Sequence, residues 1–78
     1  MDVSKWVVEN PNILGGRPVF IGSRVPVEVL FENLEDGLSL EEILKDYPTI
    51  PRDAAIALLE ASKVEVVASA PRVAKVAV

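Results

Sequence analysis

The sequence predicts a mainly helical fold, three short helices with the rhythm of a helix-turn-helix set behind an N-terminal β-hairpin, and three observations lead to it. From Pro26 onward the apolar residues recur at helical spacing, with Val27, Leu30, Phe31 and Leu34 at i, i+3, i+4 and i+7. Ser39 and Glu42 form an S-x-x-E box ahead of an apolar stripe, which marks a helix start. Before both, "GGRPVFIGSRVPV" at 15–27 combines glycine, proline and β-branched residues, the composition of short strands and tight turns.

Taken in order, "KWVV" is a short β-prone run and "NPNILGG" is turn chemistry. "RPVFIG" and "SRVPV" read as two strands joined across Gly22-Ser23, where glycine tolerates positive φ, and Pro18 and Pro26 each remove a ladder donor and so mark edge strands. The first helix starts near Pro26 and stops at Gly37. The second is capped by Ser39, buries Leu40, Ile43, Leu44 and Tyr47, and is ended by Pro48. A third is expected from about Arg52, with Ala55, Leu58, Leu59 and Ser62 on its inner face and Ile50 plugging the turn before it. It runs to about Val67. Residues 1–67 therefore read as one domain, and 68–78, with Pro71, as a tail that is flexible or binds a partner.

A chain of 78 residues buries a thin core, roughly 60–65% of its unfolded surface. With no cysteine and no histidine, neither a disulfide nor a common metal site can staple it, so a homodimer is expected. The same absence removes the usual catalytic bases and nucleophiles: no enzyme, cofactor or metal site is expected. Glu35 with Asp36 and Glu41 with Glu42 are sequence neighbours that diverge on a helix, and read as solvated acid rather than a shared site. No apolar run approaches the roughly 18 residues of a membrane span, and the N-terminal segment lacks the features of a signal peptide, so the expected location is cytoplasmic. The net charge of −4 is unevenly laid out: 28–46 sums to −6, and the segments on either side to +1 each. "LGGRP" resembles a phosphate-binding loop only superficially, because Pro18 follows and no helix or G-K-[ST] does.

The cations are the candidate nucleic-acid contacts. Arg17 enters the hairpin, Arg24 leaves its turn, and Arg52 opens the third helix, where base readout needs Arg, Asn, Gln or Lys. Asp53 beside Arg52 would repel phosphate, so affinity for DNA would come largely from a dimer and from Arg17 and Arg24. One of the hairpin arginines is also expected to pair with the acidic first helix, Glu28 and Glu32 being nearest in sequence. Trp6, the single tryptophan, sits on a strand too short to stand unpaired; with Val19 and Ile21 it is assigned to the dimer interface.

The joint pattern over 6–66 resembles domain of unknown function family 433. It is carried by Gly15, Gly16, Arg17, Pro18, Val19, Gly22, Arg24, Val25 and Pro26, then by Gly37, Ser39, Glu42, Ile43, Leu44, Tyr47 and Pro48. The resemblance implies a homeodomain-like helix-turn-helix with an N-terminal hairpin and a role similar to VapB-type antitoxins. Such a protein neutralises a PIN-like ribonuclease toxin by direct binding and represses its own promoter DNA as a dimer. The third helix departs from the pattern, opening with Pro51, Arg52 and Asp53 where a Ser or Thr cap is usual. The alternative is a protein-interaction module in which the helix-turn-helix is a scaffold that binds no DNA and the acidic first two helices dock a basic partner.

Overall fold

A computed structural model describes residues 3–73. Within them, strand β1 (Val7–Glu9), a single 3-10 turn (Leu14–Gly16) and strand β2 (Pro18–Phe20) precede helices α1 (Glu28–Glu35), α2 (Leu40–Asp46) and α3 (Arg52–Ser69). The fold is mainly helical, three helices behind a small antiparallel two-stranded sheet, as the sequence predicts.

The sheet is paired differently from the expected hairpin. β2 pairs with β1, with Val7 opposite Phe20, Val8 opposite Val19 and Glu9 opposite Pro18. The turn at Gly22-Ser23 does form, with Gly22 at φ +82°, and Ser23 ties it by donating its hydroxyl to the Phe20 carbonyl while accepting from Val25 N–H. The segment after it adds one bridge, Val19 opposite Pro26, flanked by Phe20 N–H to Val25 and Val27 N–H to Pro18. β2 is thus the middle segment, and Pro18 does not mark an edge. It is tolerated because it is the first residue of its strand and still offers its carbonyl.

The helices follow the sequence closely. Gly37 adopts φ +93° and ends α1 as a left-handed stop. Ser39 and Glu42 make both halves of the capping box: Glu42 N–H donates to Ser39 Oγ at 3.2 Å and Ser39 N–H to the Glu42 carboxylate at 2.9 Å. α3 begins at Arg52 behind Pro51 without a side-chain cap and runs two residues past the expected end. Phe20, Leu30, Ile43, Ile50, Ala54, Ala55 and Leu58 form the buried core, with Trp6, Val27, Phe31, Leu34 and Tyr47 packed on it half-buried. Each fully buried large side chain contributes about 1.5–3 kcal/mol over exposure. Ile50 plugs the α2–α3 turn as expected, but Ala54 joins Ala55 on the inner face and Ser62 is only half-buried.

That core covers only the first half of α3. An 18-residue helix is about 27 Å long, and from Lys63 onward every described residue is exposed. The overhang explains a Cα radius of gyration of 15.6 Å, against about 11.5 Å for a compact chain of this length.

Candidate functional site

Each of the three arginines has a different surrounding. Arg17 leaves the 3-10 turn and donates to Glu28 at 2.9 Å, tying the entry of β2 to the first residue of α1. Of the pairings the sequence leaves open, either hairpin arginine with Glu28 or Glu32, this is the one that forms; with both side chains about half exposed, it contributes about 0.2–1 kcal/mol. Arg52 donates to Glu41 across the α2–α3 turn. The hydrogen bond from Arg52 outweighs the opposing desolvation and, with a smaller contribution from the guanidinium charge, holds the Glu41 carboxyl below its ordinary value of 4.5; the same hydrogen bond raises Arg52. A phosphate reaching Arg52 would compete with that carboxylate and meet Asp53 beside it. Arg24 stands exposed just past the Gly22-Ser23 turn, without an ion pair among the described residues, on a shallow concavity shared with Val8, Asn10 and Ile13. The arginines are tied to α1, to α2 and to nothing, not gathered into one patch.

The residues assigned to a dimer interface also separate. Val19 is fully buried within the single chain, under Val8 and Ile13 on the sheet face away from the helices, and so offers no surface. Ile21 is exposed, and Trp6 is half-buried against the chain's own core with Lys5 Nζ 5.0 Å over its ring. A contact between copies at this end would rest on Trp6 and Ile21, beside the exposed Val8 and Leu14.

The sequence reading missed a groove of about 500 Å³ between the overhang of α3, the start of α1 and the strand β1. Val7, Val27, Phe31, Leu58, Val64 and Val66 line it, and among the described residues Glu65 is the one charged side chain in its wall. The apolar surface continues outward, with Val66 68% and Val67 72% exposed. Valines in that state leave apolar surface in water that the single chain does not cover. The run "VEVVAS" does not announce this by itself: Val66 continues the spacing of Leu59 and Ser62 while Val64 and Val67 leave it, and such a run reads the same whether or not an element covers it.

Glu42 is engaged in the cap, where the backbone N–H of Ser39 first and its hydroxyl second hold the carboxyl below the ordinary value. No helix among the described residues is long and apolar enough to cross a membrane. The family model described as "Protein of unknown function (DUF433)" matches residues 7–60. No curated protein and no solved structure matches the chain.

Proposed function

We propose that this chain, which belongs to the DUF433 family, is the antitoxin of a type II toxin–antitoxin pair, neutralising a PIN-like ribonuclease by direct binding. The observation that carries the reading is the overhang of α3, whose exposed valines beside an open apolar groove leave the fold with surface suited to a protein partner. The resemblance of the joint motif to VapB-type antitoxins supplies the class of partner. Co-expression with a small PIN-like ribonuclease encoded beside this chain tests it. Growth rescued by this chain, and a stable complex on size exclusion, are the expected results; unrelieved toxicity without a complex would refute the reading.

A specific observation favours the second reading, a partner-binding module whose helix-turn-helix is a scaffold without DNA. Arg52, the one cation at the start of the recognition helix, is held by Glu41 and followed by Asp53. Repression of the chain's own promoter would therefore require a homodimer, with Arg24 and Arg17 contributing the phosphate contacts. A salt series on a promoter fragment separates the two. A repressor loses affinity steeply with salt, by a slope near one unit per phosphate contact, and a scaffold shows no specific complex.

A further inference from the structure

The groove under the α3 overhang has a polarity that narrows what it can hold. We infer that it accepts an amphipathic helix carrying Lys or Arg on its flanks, supplied by a partner protein and not by a second copy of this chain. The inference deepens the partner-binding reading and rests on it.

Three features lead there. The walls are mostly apolar side chains of α1, α3 and β1; Ser62 and Glu65 are the polar residues among those lining it, and Glu65 accepts from Ser69 Oγ. An occupant must arrive with its own backbone hydrogen bonds made, which a helix does and an extended segment does not. Phe31 of α1 and Val64 of α3 both line the groove, and a helix with apolar residues at helical spacing presents a continuous stripe that can meet the two together.

The charge around the groove is acidic. Glu65 lies in the α3 wall, and Glu28 and Glu35 are the i−3 and i+4 neighbours of the lining residue Phe31, on the same side of α1. Arg17 offsets Glu28, while among the described residues Glu35 and Glu65 have no ion pair and no lysine or arginine lines the groove. A second copy would bring another net −4 and the same acidic rims into the site, a like-charge contact that costs binding. A basic helix meets complementary charge on both sides.

The test uses the full chain and three designed helical peptides: one with Leu at i, i+3, i+4 and i+7 flanked by Lys, its Glu-flanked counterpart, and a Lys peptide lacking the Leu face. Fluorescence anisotropy is expected to show one-to-one binding of the first peptide alone, weakening as salt is added. Glu35→Lys with Glu65→Lys, and separately Val64→Ser with Val66→Ser, should each weaken it by about tenfold or more. Asp46→Lys, at the far end of α2, should leave it unchanged. All of the substituted side chains are exposed or lie outside the buried core, so folding, followed by circular dichroism, is expected to be kept. Equal binding of the acidic peptide, indifference to either groove variant, or an equal loss from Asp46→Lys would overturn the inference. So would sedimentation showing that the valine variant turns a dimer into a monomer, because the occupant would then be a second copy. If the PIN-like protein fails to bind while the basic peptide does, the toxin reading falls and the groove chemistry stands. If the PIN-like protein binds the groove variants as well as it binds the original chain, the groove chemistry falls instead.

Discussion

The two halves of α3 are made of similar residues and are used differently. Ala54, Ala55 and Leu58 vanish into the core against Phe20, Leu30 and Ile43, whereas Val64, Val66 and Val67, equally apolar, stand in solvent one to three turns later. Intrinsic preference does not explain the difference, because alanine favours the helix and valine tolerates it only slightly less. The difference is in what lies opposite. α1 is eight residues long and α2 seven, too short to cover an 18-residue partner, so the bundle runs out before the helix does. An apolar residue in a small fold thus reports on folding where a neighbouring element faces it, and on binding where none does.

The largest way to break this comparison is through the buried half. Leu30→Ala and Ile43→Ala each leave a cavity in a core too small to close around it and should lower unfolding free energy by about 2–4 kcal/mol, read from denaturant midpoints. Leu34, which the helical spacing alone places at the centre of the first stripe, is only half-buried, so Leu34→Ala should cost less than Leu30→Ala. In the overhang, Val66→Ser or Val67→Ser should stay within about 0.5 kcal/mol of the original chain. A loss as large as that of Ile43→Ala would mean the overhang belongs to the folding core after all.

Between these extremes lie the polar ties. Ser39→Ala should cost about 1 kcal/mol through the lost cap of α2. The cap also sets a pH response. Glu42 and Glu41 titrate below their ordinary value when folded, so the stability they add is fully present above about pH 4.5 and is lost as pH falls through the lower folded values. Thermal midpoints should drop below pH 4.5, and less so for Glu42→Gln than for the original chain. An identical acid slope in the variant would remove the cap from the account. Smallest of all, Arg17→Gln should cost no more than about 1 kcal/mol and Arg24→Gln about nothing, since only the first is paired.

Much of this was legible in the chain, and the reason is locality. The Ser39–Glu42 box, the Gly37 stop, the Ile50 plug and the Val27–Leu34 stripe are each decided within a few residues, and the Arg17–Glu28 pair is one of the pairings the sequence leaves open. The sheet was harder because pairing is a choice between partners: β2 could close locally across Gly22-Ser23 or reach back to "KWVV", and it does both, giving the full ladder to the distant strand. The sequence places Val19 at a dimer interface because short proline-bearing strands and a thin core call for a partner; with β1 paired to β2, Val19 is fully buried within the single chain. Arg52 was assigned to phosphate because its charge was read without Glu41, 11 residues away and brought beside it only by the α2–α3 turn. The overhang was illegible as such, since a Val/Ala-rich run looks the same whether a neighbour covers it or not.

Native-state hydrogen exchange along α3, in the free chain and with the Leu/Lys peptide, tests the division of this helix most directly. The account predicts amides of Ala55 to Leu59 protected near the global stability of the fold in both conditions. Those of Val64 to Ser69 should exchange far faster in the free chain and slow on binding. Protection of Val64 to Ser69 equal to that of Ala55 to Leu59 in the free chain, unchanged by peptide, would contradict it.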